Sequence, residues 1–199
     1  MKYASLLSAL FLLFALHGKA AEEYANGYVI DQRNDTVRCR IVIPKDFGHF
    51  NEQSLFSKVT ILDSTGAKHK YSPDDINGYA FVYQDRVYAY VSRTVSDDNK
   101  KMFLWIKELG PKINEYYYYT YNTDDLAKGS MGATNEVYVL EDAVTKATAA
   151  ITRGGVISNN YKDQLRKFFE SDKPIMTVLV RDVKDFHDID KFVKDANNL

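Results

Sequence analysis

The sequence predicts an α+β fold, in which an antiparallel β-meander of about 8–10 short strands carries a C-terminal layer of two or three amphipathic helices. Two features of the chain lead to this prediction. Between residues 21 and 152, short runs rich in β-branched and aromatic residues alternate with turn residues. From residue 159 onward the apolar residues recur with the period of a helix. Amphipathic helices need an apolar surface to pack on, and the predicted sheet provides it.

The first 20 residues have the pattern of a secretory signal peptide. Lys2 makes the start positively charged, the run Tyr3–Leu16 has no charged residue, and Gly18 and Ala20 are small residues at the positions that a signal peptidase requires. The apolar run is shorter than the roughly 20 residues of a membrane-spanning helix. We therefore expect residues 1–20 to be removed and the protein to be exported, to the periplasm or beyond the cell.

The remaining residues, 21–199, are expected to form one α+β domain without a transmembrane segment. Its β-rich part covers residues 21–152 and its helical part residues 159–199. Within the β-rich part, residues 123–135 contain two glycines and few bulky side chains. This composition predicts a mobile loop.

Turn residues divide the β-rich part into hairpins. The predicted turns lie at Asn34, Gly66, Gln84-Asp85 and Gly110-Pro111, and a last hairpin joins EVYVLED to VTKATAAIT. In the helical part, Asn160, Pro174 and Asp188 each stand at the predicted start of a helix.

The charge and the single cysteine exclude some functional classes. The full chain has 26 basic and 27 acidic residues, and removal of residues 1–20 takes away two lysines, which leaves a net charge near −3. The charges are interspersed without a basic stripe, so nucleic-acid binding is not expected. Cys39 has no partner for an internal disulfide. It alternates with Arg38 and Arg40 on the apolar side of a predicted strand, which indicates a structural rather than a reactive thiol.

Several short motifs occur in an order that resembles a known family. GYVI is followed by NDT, YSPDDINGYAF, FLWIKELGPKINEYY, YKDQLRKFF and DIDKFVKDAN. In this order they are similar to a family of uncharacterised exported proteins of Gram-negative, mainly gut and environmental, bacteria. The family pattern has a Gly-Tyr-Ile-Val strand, a Gly-Asp-Thr hairpin, a Ser-Pro-x-Asp-Ile-x-Gly-Phe/Tyr element and a closing Tyr-Asn pair. The resemblance implies export and the fold, and it implies no activity, cofactor or catalytic residue.

The chain departs from the family pattern at three positions. Asn34 stands where the hairpin glycine is usual, Cys39 replaces a strand glycine, and Ala196 precedes Asn197 where tyrosine is usual. The first change is conformationally mild because asparagine adopts a left-handed backbone readily. The second fills space that the glycine leaves open.

Motifs for catalysis or metal binding are weak in this sequence. His49, His69 and His187 lie in three separate segments, and no pair has the spacing of a zinc site. Asp74 and Asp75 lie in SPDDING, where the acidic positions do not follow the alternation of a calcium loop. A turn before the next strand is the favoured interpretation of this pair. We predict no metal, no cofactor and no catalytic residue.

Tyrosines are concentrated in the central strands, and the segment NEYYYYTYN places aromatic rings on both faces of one strand. Tyrosine is favoured at positions where its ring is covered and its hydroxyl is solvated or hydrogen-bonded. Such positions occur in a seam between sheet and helices, and also in a groove that stacks a sugar or peptide. We favour the seam. The ligand-binding candidates are Tyr79, Tyr83, Tyr88, Tyr90, Trp105, Tyr117, Tyr119 and Tyr121.

These observations predict an exported, non-enzymatic protein of the cell envelope that binds an envelope ligand or protein. Two alternatives remain at this point. One is a hydrolase of envelope polymers that uses Asp74, Asp75 or His49. The other is a module that docks to another protein through a free strand edge.

Overall fold

A computed structural model describes residues 22–95, 100–121, 134–152 and 160–199, with the backbone only for Tyr121 and Thr134. The predicted signal peptide, residues 1–20, lies outside the described residues. So does the predicted loop 123–135, apart from its last two residues, which begin a strand.

The described residues form twelve strands and three α-helices. The strands are β1 (Tyr24–Ile30), β2 (Thr36–Val42), β3 (Lys45–Asp46), β4 (His49–Phe50), β5 (Val59–Leu62), β6 (Lys68–Tyr71), β7 (Gly78–Tyr83), β8 (Arg86–Val95), β9 (Lys100–Leu109), β10 (Ile113–Tyr121), β11 (Thr134–Asp142) and β12 (Thr148–Thr152). The helices are α1 (Asn160–Phe168), α2 (Lys173–Asp182) and α3 (Ile189–Asn197). Two short 3₁₀ segments, Glu52–Phe56 and Phe186–Asp188, lie between β4 and β5 and before α3.

Ten of the strands form one antiparallel sheet in the order β12-β11-β10-β9-β8-β7-β1-β2-β5-β6. The predicted α+β class, with an antiparallel sheet and C-terminal helices, is confirmed. The meander order holds from β7 to β12, where each strand pairs with its neighbour in sequence. It does not hold before β7, because β1 lies between β2 and β7 and β2 pairs with β5.

The contact between β1 and β7 depends on Gly27. A Cβ atom at this position would collide with the carbonyl oxygen of Ala80 and press on Phe81 and Ile41. The absence of a side chain therefore lets the two paired strands lie close together within the sheet.

The predicted hairpin turns are present, and positive φ angles mark four of them, including the β11–β12 hairpin at Lys146. Asn34 has φ 66°, Gly66 has φ 84°, and Gln84 and Asp85 have φ 50° and 59°. Two consecutive residues with positive φ match the right-handed twist of the strands that they join, so β7 and β8 are connected by a tight turn. This turn holds Arg86 in a defined position, paired with Tyr83 across the hairpin.

The largest aromatic cluster is covered by the 3₁₀ segment Glu52–Phe56. Tyr79, Phe81 and Phe103 are each at most 2% exposed, and the segment adds Leu55 and Phe56 to the same cluster. The Tyr79 hydroxyl donates a hydrogen bond of 2.7 Å to the carbonyl oxygen of Leu55. A buried hydroxyl thereby has the partner that it requires.

The helices cover only one end of the sheet. Their apolar side chains pack on Ile113, Leu140 and Ile151, which belong to β10, β11 and β12. We expected the helices to lie over the central aromatic residues, from Tyr79 to Tyr121. The structure places them further along the sheet, where Tyr117 is the candidate that packs against their cluster, and the segment Glu52–Phe56 covers the central face.

The opposite face of β8–β12 has its own small core. Tyr116 is 1% exposed and packs there with Leu104 and Val139. The strand β12 returns close to β8, so the sheet curls around this cluster. Both faces of the tyrosine-rich strand are therefore used for packing.

Hydrogen bonds of the Asn197 side chain connect the C-terminal helix, α3, to the β9–β10 turn. Its Oδ1 accepts hydrogen bonds from the backbone N–H groups of Lys112 and Ile113 at 3.1 and 2.9 Å, and its Nδ2 donates to the Ile113 carbonyl oxygen at 2.9 Å. One side chain thus satisfies three backbone groups that strand pairing leaves open.

Candidate functional site

A cleft of about 430 Å³ remains between the two structures that cover the sheet. The segment Glu52–Phe56 borders it on one side and the turn Phe186–Asp188 on the other. The lining residues are Glu52, Arg86, Trp105, Lys107, Tyr117, Tyr119, Glu136, Tyr138 and His187. The cleft is open because neither covering layer extends over this part of the sheet.

Strand register brings the aromatic floor of the cleft together. Trp105 on β9 pairs with Tyr117 on β10, which pairs with Tyr138 on β11. Paired residues of antiparallel strands lie on the same face, so the three rings form a row across the sheet. The ring centres of Trp105 and Tyr117 are 6.1 Å apart and those of Tyr117 and Tyr138 are 5.7 Å apart, both edge to face.

Two cations lie against these rings. The Cζ atom of Arg86 is 4.5 Å from the ring centre of Trp105, and the Nζ atom of Lys107 is 4.9 Å from that of Tyr138. Lys107 is also held by Asp190 of α3, with Nζ 2.6 and 2.8 Å from the two carboxylate oxygens. The two cations therefore differ in their partners. Lys107 forms an ion pair with the Asp190 carboxylate, whereas the guanidinium of Arg86 lies over the indole ring of Trp105.

Two glutamates stand on opposite walls of the cleft. Glu52 accepts a hydrogen bond of 3.1 Å from the Tyr90 hydroxyl, and burial raises the pKa of Glu52 above its ordinary value. Glu136 accepts a hydrogen bond of 3.0 Å from the Tyr117 hydroxyl. Burial and then the charge of Glu136 raise the pKa of Tyr117, so this phenol stays a donor at neutral pH.

A buried acidic pair lies next to the cleft, behind Lys107. Glu115 is 1% exposed, and its Oε1 atom has no hydrogen-bond partner among the described residues. Burial, and then a hydrogen bond with Asp190, raise the pKa of Glu115 far above the ordinary range of a glutamate. Burial opposes ionisation of Asp190 as well, but its hydrogen bonds with Glu115 and Lys107 hold the pKa of Asp190 below the ordinary value. At neutral pH the pair therefore consists of a protonated Glu115 and an ionised Asp190.

Four of the predicted ligand-binding residues lie in the core instead of on a surface. Tyr79, Tyr83, Tyr88 and Tyr90 are between 1% and 8% exposed. Tyr79 and Tyr90 pack against the segment Glu52–Phe56, and Tyr83 and Tyr88 pack against Phe50. These four tyrosines are therefore removed from the set of ligand-binding candidates.

The other predicted ligand-binding residues are placed differently. Trp105, Tyr117 and Tyr119 are partly exposed and line the cleft. Tyr121 belongs to β10, and its side chain lies outside the described part of the structure.

The three residues of the alternative hydrolase do not line the cleft. Asp75 accepts hydrogen bonds from the Ser72 backbone N–H at 2.7 Å and from the Ser72 hydroxyl at 2.6 Å, and these bonds lower its pKa. This is the turn that the sequence indicated. Asp74 borders a separate groove near Lys101, and His49 is exposed on β4.

Sequence reasoning missed the charged residues of the cleft. The position of Glu136 could have been predicted from the sequence. It lies two residues before Tyr138 on the same strand, and residues two positions apart share one face, here the face of the aromatic row. Arg86 follows the predicted tight turn. Glu52 and His187 come from irregular segments outside the sheet, and no periodicity in the sequence connects them with the strands.

Among the described residues, no group of three or more His, Cys, Asp or Glu side chains is arranged to hold a metal ion. In the same part of the chain, no helix is both long and apolar enough to cross a membrane. No protein-family model matches the chain, and neither does any curated protein or any solved structure.

Proposed function

We propose that the protein is an exported, non-enzymatic binding protein of the bacterial cell envelope, and that its ligand site is the cleft over Trp105, Tyr117 and Tyr119. The convergence of these partly exposed rings with charged side chains in one concavity carries the proposal. Export rests on the signal-peptide pattern of residues 1–20.

The dimensions and chemistry of the cleft support a small ligand. Its volume of about 430 Å³ lies in the range of small-molecule sites. Aromatic rings provide an apolar floor, and Glu52, Glu136, Arg86 and His187 place acceptors and donors around it. Such a combination suits a ring-shaped polar molecule that has both an apolar face and hydroxyl groups.

Binding is favoured over catalysis because the acidic groups of the site already have partners. Tyr90 and Tyr117 each donate a hydrogen bond to one of the two wall glutamates. A general acid or base has to reach a substrate atom, and Glu115, the carboxyl whose pKa is most strongly raised among the described residues, is buried.

The docking alternative receives less support from one of the two edges of the sheet, the strand β6. The edge strand β6 carries Lys68, His69 and Lys70, all exposed. Charged side chains on an edge strand disfavour the addition of another strand.

Trp105 offers a direct test, because it is the single tryptophan of the sequence and lies on the floor of the cleft. Envelope glycan fragments and short peptides would be titrated into the mature protein while the tryptophan emission is recorded. We expect a saturable change with one ligand class, and its loss in Tyr119→Ala.

Tyr28→Ala provides the matched control, because Tyr28 is 40% exposed and lies on β1 away from the cleft. This variant is expected to bind like the wild type. Equal loss of binding in both variants, with both still folded, would contradict the assignment of the cleft.

A further inference from the structure

We propose that the cleft selects a sugar ring that carries a carboxylate, that is, a uronic acid residue of a polysaccharide, and that Arg86 binds this carboxylate. The inference rests on the proposed function, since it names the ligand class of the same site. It follows from the difference between the two cations of the cleft.

Arg86 is held in place without a carboxylate partner. Within the described residues it makes no salt bridge, and its guanidinium lies 4.5 Å from the ring centre of Trp105 and 5.3 Å from that of Tyr88. Glu52 acts on it only as a more distant charge. Stacking on a ring occupies the flat face of a guanidinium and leaves its N–H donors at the edge unused.

The backbone around Arg86 adds to this preorganisation. It directly follows Gln84 and Asp85, the two residues with positive φ in the β7–β8 turn, and is paired with Tyr83. The turn fixes the backbone of Arg86, and the contact with Trp105 limits where its guanidinium lies, so less conformational freedom is lost when a ligand binds. A planar guanidinium presents two parallel N–H groups, and a carboxylate has the matching geometry.

Lys107 does not compete for the same ligand group. Both oxygens of Asp190 hold its ammonium at 2.6 and 2.8 Å, so its charge is neutralised inside the protein. Among the described lining residues, Arg86 is therefore the permanently charged cation that has no carboxylate partner. A single available cation favours one carboxylate over a multiply charged anion such as a phosphate cluster.

The remainder of the cleft favours a sugar ring as the carrier of that carboxylate. Tyr117 and Tyr119 contribute apolar surface, and the glutamates on the two walls can accept hydrogen bonds from hydroxyl groups. Two acidic walls disfavour a second negative charge on the ligand. A ring with several hydroxyls and one carboxylate meets all of these requirements.

The experiment compares glucuronate, glucose and glucosamine, which share a ring and differ mainly in charge. Acetate provides a carboxylate without the ring. Because Arg86 lies on the indole, its replacement changes the tryptophan emission directly, and affinities are therefore measured by titration calorimetry. We expect glucuronate to bind at least 10-fold more tightly than glucose, glucosamine and acetate.

The variants test the role of the guanidinium. Arg86→Gln is expected to lose on the order of 10- to 100-fold in affinity for glucuronate, as for a lost charge-assisted hydrogen bond. Its loss of affinity for glucose, which has no carboxylate, is expected to be several-fold smaller. Arg86→Lys keeps the charge without the two parallel donors and is expected to recover part of the affinity. Arg33→Gln, at an exposed arginine of the β1–β2 turn, is the matched control and is expected to have no effect. Melting temperatures confirm that each variant is folded.

The outcomes separate this inference from the proposed function. If glucose binds as tightly as glucuronate and both are lost in Tyr119→Ala, the cleft is a binding site and the uronic acid inference is wrong. If glucuronate binds equally well to Arg86→Gln, Arg86 does not bind the carboxylate. If none of the four compounds binds, the uronic acid inference is overturned, and the proposed function is then decided by the wider titration of Trp105.

Discussion

Replacement of Glu115 by glutamine tests whether the buried acidic pair holds a proton. Glu115 is 1% exposed and meets Asp190, a residue of the first turn of α3. Glutamine has nearly the same shape, remains neutral at every pH and still offers a donor to Asp190. We therefore expect Glu115→Gln to fold, and to differ from the wild type in how its stability depends on pH.

The sign and size of this difference follow from proton linkage. The folded protein keeps the proton of Glu115 because its pKa is raised, and the unfolded chain releases the proton once the pH exceeds the ordinary pKa of glutamate. The wild type therefore loses stability as the pH rises, by about 1.4 kcal/mol per pH unit for one proton. Between pH 5 and pH 7 the expected loss is about 2–3 kcal/mol. The lowered pKa of Asp190 contributes no slope here, because Asp190 is ionised in both states over this range.

Urea unfolding of both proteins at pH 5, 6 and 7 measures the effect. The free energy of unfolding of Glu115→Gln relative to the wild type should rise by about 2–3 kcal/mol across this range, since all other groups titrate equally in the two proteins. Glu170→Gln, at an exposed glutamate, is the control and should run parallel to the wild type. Parallel curves for Glu115→Gln would show that Glu115 is ionised in the folded protein, and the reasoning about its burial would be refuted.

Three further predictions concern the packing of Tyr116, the hydrogen bonds of Asn197 to the β9–β10 turn, and the reactivity of the Cys39 thiol. Tyr116→Ala should cost about 3 kcal/mol or more in urea unfolding, because Tyr116 is 1% exposed, whereas Tyr28→Ala, at 40% exposure, should stay within about 0.5 kcal/mol; similar losses in both would contradict the assigned burial. Asn197→Ala should cost about 2 kcal/mol in the same assay because it leaves three backbone groups without partners, and Asn198→Ala, at an exposed neighbour, should be neutral. Burial raises the pKa of Cys39 to about 11, so a thiol reagent at pH 8 should modify the folded protein about 100-fold more slowly than the protein in urea; equal rates would show an accessible thiolate.

Local features of the fold were predictable because they depend on neighbouring residues. Asn34 and Gly66 predict turns because they adopt positive φ readily, and the short gap between two strand runs predicts the turn at Gln84-Asp85. Three helices follow residue 159, as the periodicity indicates. The position of β1 between β2 and β7 was not predictable in the same way. It depends on which distant strand fits against the bare backbone of Gly27, and hairpin signals say nothing about pairing between distant strands.

The candidate site was predictable only in part. Alternation along β10 places Tyr117 and Tyr119 on one face, and the density of tyrosines in the central strands directed attention to the right region of the chain. The same reasoning also selected Tyr79 and Tyr90, because a buried and an exposed tyrosine look alike in sequence. Their burial is decided by the segment Glu52–Phe56, which packs on one part of the face and leaves another part open.

Periodicity and turn residues act over a few positions, and they are sufficient to predict the class of fold, most hairpins and helices, and the aromatic character of the central strands. Which rings are covered and which charges meet depends on contacts between distant parts of the chain. Arg86 lies over Trp105, and Glu115 meets Asp190 on a helix 75 positions further along the chain. Such contacts arise from strand register and from the seating of separate layers, and burial then sets the charge of each group according to partners that are distant in sequence.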